Sequence, residues 1–515
     1  MTRLHEELSM GRYFDEELWF EQRRVIAKKS AIYSWPMSMA TSAIIEDDTL
    51  VEFWEKLEGL LDVDINNESD VNSALVSFIK ITADHYSSLI KCDQDLYRIG
   101  LILVESEMFE RTTDFCLRKL LSLLSIDLLE LSLKLIIAYI ILYKCKIDIS
   151  SMDILVENQG FVVIYNNIYS NFAYLSKYSN DSPREAEEQQ TETDTDIIEG
   201  IKHLTTILID IMYQFFRYSK CQIANLQMID DFFIYYLVSS VRSDVIDDIF
   251  NNIKFKLLLA LNEQYMIFGY EYDIENKAYE FILNQTMSKD FIGLLLLKFN
   301  RETDASLLIM ICKVIYIILT KDLKVARDFF YLNDLNVFVD VLLRNLNNIS
   351  ENEEVLRNTY LRVLLPLLNN TELSSTHYHR EEIAKTLEFF TDAGNFSANK
   401  VPTIEERTTV RMAKRCLTEV KWLEHDGQPY GDQNDSEESR RSSISTKSSS
   451  TTPQDSKPPN NFNHIYRNVQ NAYSADSINH RTAQQIPPPP PPSRKSKHRI
   501  GSDKKLATAS LEISK

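Results

Sequence analysis

The sequence predicts an all-α, armadillo/HEAT-like helical repeat superhelix with a disordered C-terminal tail. Three observations carry that prediction: chain length, the scarcity of helix breakers, and a recurring pair of apolar helices. The chain has 515 residues, whereas single hydrophobic cores stop growing at about 250–300 residues. Several domains or an extended array are therefore required. It contains only 11 Gly and 14 Pro, too few for the turns of a sandwich or a doubly wound sheet. Ten of the 14 prolines lie from Pro429 onward, and between Pro36 and Pro366 there is only Pro183. More than 300 residues thus run almost without interruption through Leu- and Ile-rich helix-forming sequence.

The recurring unit is a short apolar helix, a polar break and a longer apolar helix. Copies begin at Asp114–Leu124 followed by Ile126–Leu142, at Asp290–Asn300 followed by Glu302–Leu319, and at Asn336–Leu346 followed by Glu351–Leu368. The second and third copies start 46 residues apart, within the roughly 40–47-residue period of armadillo and HEAT repeats. A single helix pair leaves an apolar face open, and stacking the next pair covers it. The segments Ile154–Phe161 and Tyr331–Val337 read as the turns between such units. The repeat domain is assigned to residues 45–424, with a polar acidic loop insertion at 179–200 (SNDSPREAEEQQTETDTDIIEG) that lacks any apolar period. Residues 1–44 form an N-terminal helical arm in which Phe14, Leu18 and Val25 share a face. Its polar face carries Asp15, Glu16, Glu17 and Glu21, which suits packing or capping better than an anionic membrane surface.

Charge and composition narrow the function classes. From Asp426 to the C-terminus there are 13 basic and 9 acidic residues, a net of +4; the 43 basic and 66 acidic residues before it give −23. An acidic body disfavours nucleic acid and anionic membranes. The most apolar stretch, Ile126–Ile147, is uncharged only over Leu135–Tyr143, well short of the roughly 20 residues a span requires. Cys92, Cys116, Cys145, Cys221, Cys312 and Cys416 form no C-x-x-C pair and read as buried free thiols of a reducing cytosol. No phosphate loop, nucleophile elbow or H-E-x-x-H motif is present. His377 and His379, placed on a helix, would point apart and hold no metal. A protein of this composition is expected to be a binding protein, not an enzyme, with no cofactor.

Residues 425–515 are Ser/Pro-rich, and Asp426–Asn460 holds few large apolar residues, too few to offset chain entropy. The sharpest motif lies there: Pro487, Pro488, Pro489, Pro490, Pro491 and Pro492, followed by Arg494. Successive prolines set up a left-handed, three-residue-per-turn helix that fits aromatic grooves with little entropy loss. Pro489, Pro492 and Arg494 match P-x-x-P-x-[KR], an SH3-domain ligand spanning 487–494. A stiff spacer is the alternative, and profilin is a second candidate reader of such a run. Ser442 and Ser443 follow Arg440 and Arg441, and Thr452 precedes Pro453. These are candidate phosphorylation sites that would alter the tail's charge. Asn461–Tyr473 is a candidate docking element.

In the order DLNVFVDVLLRNL, RNTYLRVLLPLLNNT, HYHREEIAKTL, residues Asp334–Phe390 resemble the leucine-rich domain of the SPIN/WISH/DIP (SH3 protein interacting with Nck) family. The layout resembles its fungal low dye-binding branch: a helical body, a serine-rich tail and polyproline near the end. The sequence departs at His377–His379, where family members often carry tyrosine or lysine. The resemblance implies an armadillo fold and activation of the actin-related protein 2/3 complex without a mother filament, which seeds unbranched filaments. It also implies recruitment to endocytic cortical actin patches in the cytoplasm by SH3-domain adaptor proteins, with actin as a further partner. Within the mechanism this implies, Arg357, Arg362 and Arg380 are candidate complex-docking residues, and ordinary solvated positions are the alternative. A passive armadillo scaffold that links SH3 proteins to the endocytic machinery, with no nucleation activity, is the alternative.

Overall fold

A computed structural model describes residues 48–90, 92–178, 192–218, 221–350, 353–397 and 401–423. The N-terminal arm, residues 179–191 of the acidic insertion and the whole tail lie outside the described residues. The described residues contain α-helices and short 3-10 turns but no strand.

An N-terminal group comprises α1 (Asp48–Gly59), α2 (Glu68–Asp84), α3 (Tyr86–Leu89) and α4 (Asp93–Val104). Six three-helix units follow, each with a short first helix and a long, central third helix. They are α5 (Glu107–Arg111), α6 (Thr113–Leu124) and α7 (Leu131–Ile147); then α8 (Ser151–Glu157), α9 (Gly160–Tyr178) and α10 (Glu192–Tyr218). Next come α11 (Ile223–Met228), α12 (Asp231–Ser240) and α13 (Ile249–Tyr272); then α14 (Lys277–Ile282), α15 (Gln285–Arg301) and α16 (Ala305–Thr320). The last two are α17 (Leu323–Asp328), α18 (Leu332–Asn348) and α19 (Glu354–Asn370), then α20 (Leu373–Thr376), α21 (Arg380–Phe389) and α22 (Ile404–Glu419). Three helices per unit, the first of them short, make the array armadillo-like.

Packing follows the same order. The third helices form an inner row in which each contacts the next, from α7 through α10, α13, α16 and α19 to α22. The second helices form a parallel outer row, α6, α9, α12, α15, α18 and α21. Flanked on both sides, the inner helices are apolar around most of their circumference: α7 is buried without a break from Leu135 to Tyr143. One core runs through all the units, the expected result when no unit can cover its own apolar face.

Polar side chains lock the register between units. The last carbonyls of a helix have no donor within it. Here the next unit supplies one: Asn167 Nδ2 donates to the Leu124 carbonyl at 3.1 Å, Gln264 Nε2 to Phe216 at 2.7 Å and Arg344 to Asn300 at 3.1 Å. Asn370 Nδ2 donates to Leu319 at 2.8 Å and Trp422 Nε1 to Leu368 at 3.2 Å. Donor and acceptor stand 43 to 54 residues apart in these five bonds, one unit of the array.

Scarce glycine leaves other residues to make left-handed turns. Gln159, Asp273, His377 and His379 all have φ between 51° and 58°, a conformation that costs most side chains about 1–2 kcal/mol. At the α8–α9 turn, Gln159 is followed by Gly160, where a Cβ would sit 2.7 Å from the Leu155 carbonyl oxygen.

Three expectations are corrected. The first long helix begins at Leu131, because Ile126–Glu130 form a turn that exposes Leu128 fully. The acidic insertion is shorter than 179–200, since Glu192–Gly200 already belong to α10. Ile198 is buried there, and Gly200 crosses so close to Leu131 that a Cβ would lie 2.8 Å from its Cδ2. Tertiary cover thus makes a helix of a segment with no apolar period of its own. Finally, His377 and His379 stand in the turn between α20 and α21, not on a helix.

Candidate docking surface

The three arginines expected at a docking face have different surroundings. Arg357, in α19, is only 3% exposed. It forms an ion pair with Glu354, donates to the Ile349 carbonyl at 2.9 Å, and lies over the rings of Phe390 and Phe396, each centroid 5.3 Å away. Glu354 also accepts from the Thr409 hydroxyl of α22 at 2.7 Å. Asn358 donates to the Glu405 carbonyl at 3.1 Å. This buried cluster ties α19 to α21 and α22. Arg357 is therefore an internal fastener and not a docking residue: an i, i+3 ion pair faces inward when rings from the next unit cover it.

Arg362 lies one and a half turns further along α19 and is half-buried. Burial holds its guanidinium below the usual arginine range, Tyr316 of α16 pulls the other way, and the like charge of Arg411 on α22 lowers it further. Tyr316, Arg362 and Arg411 stand on three successive inner helices, α16, α19 and α22, each packed on the next. Sequence spacing could not have grouped them, as they come from three units. Beside them on α16, Lys313 forms an ion pair with Glu263 of α13, a carboxylate buried to 1% exposure. Arg380, at the start of α21, belongs to the outer row and is partly exposed.

The histidine turn is a structural joint. The His377 ring stacks on Trp422, centroids 5.0 Å apart and planes 16° apart. His379 Nδ1 lies 2.8 Å from Glu382, and its Nε2 lies 3.6 Å from Asp340. Asp340 also accepts from the Tyr378 hydroxyl at 3.4 Å, and burial raises its carboxyl above the ordinary range. The polyproline residues Pro487–Pro492 with Arg494, and the candidate phosphosites Ser442, Ser443 and Thr452, lie outside the described residues. No described helix is long and apolar enough to cross a membrane.

A stacked array of three-helix units sharing one core defines a helical-repeat platform, a class that works by presenting surface. Residues 247–383, from just before α13 into α21, match the SPIN90/Ldb17 leucine-rich domain. Protein LDB17 of Saccharomyces cerevisiae is 45% identical over 462 residues, covering 85% of this chain and 93% of the relative. Protein LDB17 of Eremothecium gossypii is 49% identical over 374 residues, covering 72% and 82%. Protein dip1 of Schizosaccharomyces pombe is 27% identical over 231 residues, 43% of this chain and 59% of that one. The chain belongs to the SPIN90/Ldb17 family.

Proposed function

We propose that this chain binds the actin-related protein 2/3 complex through its repeat body and favours the active arrangement of that complex, seeding unbranched actin filaments at endocytic cortical patches. The supporting observation is the family match at 247–383, which coincides with the part of the array that carries Lys313, Tyr316 and Arg362. The mechanism is differential binding: a stiff surface complementary to one of two states shifts the population by its difference in affinity. The chain itself performs no covalent step. A continuous core with unit-to-unit carbonyl caps supplies the stiffness such a surface needs. The tail serves as a tether. Pro487–Pro492 with Arg494 engage an SH3 domain of an endocytic adaptor and raise the local concentration of the body; profilin and actin are further partners to test.

Pyrene-actin assembly with purified complex tests the proposal. The full chain is expected to shorten the lag without preformed filaments, and a chain ending before Asp426 should do so equally well in solution. An unchanged lag would leave only the passive scaffold. In cells, Arg494→Glu should reduce recruitment to patches while leaving assembly in the purified system intact.

A further inference from the structure

The turn between α18 and α19 sets an exposed serine beside the buried Arg357 fastener. Helix α18 ends at Asn348 and α19 begins at Glu354, so Ser350 lies outside both, and its side chain is exposed. Its hydroxyl donates to Glu353 Oε2 at 3.1 Å. The carbonyl of Ile349, the residue before it, accepts from Arg357 Nη2 at 2.9 Å. Covalent bond lengths then keep the Ser350 hydroxyl within about 8 Å of that guanidinium nitrogen. Glu354, the ion-pair partner of Arg357, is buried and also accepts from Thr409 of α22. The chain here reads Ser350-x-x-Glu353-Glu354. Acidophilic serine kinases recognise a carboxylate three positions after the serine, because basic side chains line their substrate clefts. Thr403 has the same spacing, but its Glu406 is buried in the capping box of α22.

We propose that Ser350 is a phosphorylation site for an acidophilic serine kinase, and that its phosphate loosens the Glu354–Arg357 pair and with it the last unit of the array. The kinase transfers the γ-phosphoryl group of ATP. The bond from the γ-phosphorus to the ADP oxygen breaks, a bond to Ser350 Oγ forms, the hydroxyl proton passes to the kinase's catalytic carboxylate, and ADP leaves. The phosphate cannot donate to Glu353 as the hydroxyl does. It also brings about two negative charges to a turn that already holds Glu353 and Glu354. Arg357 is within its reach, and a phosphate draws a guanidinium through charge-assisted hydrogen bonds. Any shift of Arg357 toward the turn leaves the Glu354 carboxylate buried with its pairing weakened, a costly state. Glu354 and its neighbour Asn358 help hold α22 on α19, through Thr409 and the Glu405 carbonyl. The inference concerns the chain alone and stands apart from the proposed binding of the complex.

The test treats the full chain with ATP and purified casein kinase 2, locates phosphate by tandem mass spectrometry, and reads opening by hydrogen exchange. Wild type is expected to carry phosphate on Ser350. Exchange in α22 and the first turns of α19 should then quicken by about tenfold or more, with α7 to α13 unchanged. Kinase-treated Ser350→Ala is the reference, because it keeps any phosphate placed elsewhere. Glu354→Gln/Arg357→Met, which lacks the pair, should accept phosphate on Ser350 and show less than about threefold further change. Circular dichroism confirms that each variant keeps its helices before treatment. The inference is overturned by the absence of phosphate on Ser350, by α22 exchange equal to that of treated Ser350→Ala, or by an equal acceleration in the paired variant.

Discussion

Replacing Arg357 with methionine should destabilise the C-terminal end of the array far more than it affects any partner directly. Arg357 is 3% exposed and Glu354 is 7% exposed. The substitution therefore strands a buried carboxylate that keeps only the Thr409 hydroxyl. Removing one partner of a buried ion pair costs about 3–5 kcal/mol. Losing the guanidinium over Phe390 and Phe396 adds about 1 kcal/mol or more. A loss of about 4 kcal/mol corresponds to roughly a thousandfold change in an opening equilibrium. In a repeat array the terminal unit opens most readily, so the loss should appear first as faster amide exchange in α22 and the end of α19. Hydrogen exchange with mass spectrometry reads this directly. The paired variant Glu354→Gln/Arg357→Met removes the stranded charge and should recover much of the protection. If Arg357→Met left exchange in α22 within about threefold of wild type while abolishing complex binding, Arg357 would be a docking residue after all and the packing argument would fail.

Other expectations follow from the same geometry. Gln264→Leu leaves the Phe216 carbonyl without its donor and should cost about 1–3 kcal/mol, seen as a lower thermal midpoint with faster exchange at the end of α10. Of the six cysteines only Cys92 is exposed, and burial pushes the Cys221 and Cys416 thiols up to about 12. A thiol reagent should titrate one cysteine quickly in the native chain and all six after denaturation; two or more fast thiols would show that the core is looser than described. Burial holds the His203 imidazole below its ordinary value of 6.5, with Asp93 pulling modestly upward. A depressed folded-state value means that the stability carried by neutral His203 is complete above pH 6.5 and is lost as pH falls through the folded value. His203→Leu should flatten stability below pH 6.5, measured by urea unfolding across the acid range.

Much of the architecture was legible in the residues because helical arrays are built from local signals. An apolar period of three to four residues and few breakers specify helices, while Asp, Asn and Thr before apolar runs specify caps. Asp230, Asp304, Asp322 and Thr403 cap their helices in this way. A recurrence near 46 residues specifies that one unit repeats. The array shows three-helix units where the sequence suggested pairs, because its shortest helices, such as the four residues of α20, are too brief to show a period. Glu192–Gly200 read as a loop because its polar composition outweighs Ile197 and Ile198, and only contact with α7 makes a helix of it.

The candidate site divides along the same line. By itself the sequence determined the class: stacked amphipathic helices, an acidic body, a tail with a polyproline motif, and a resemblance carried by three ordered blocks. Tertiary structure decided which charges are covered. Arg357 and Arg362 are five positions apart on one helix, yet Phe390, Phe396 and Thr409 of the following unit close over the first, while the second stays half-buried. Helical periodicity specifies the angle at which a side chain leaves its own helix. Whether that direction ends in solvent or protein depends on neighbours some 30 to 55 residues away, and so on how the units stack.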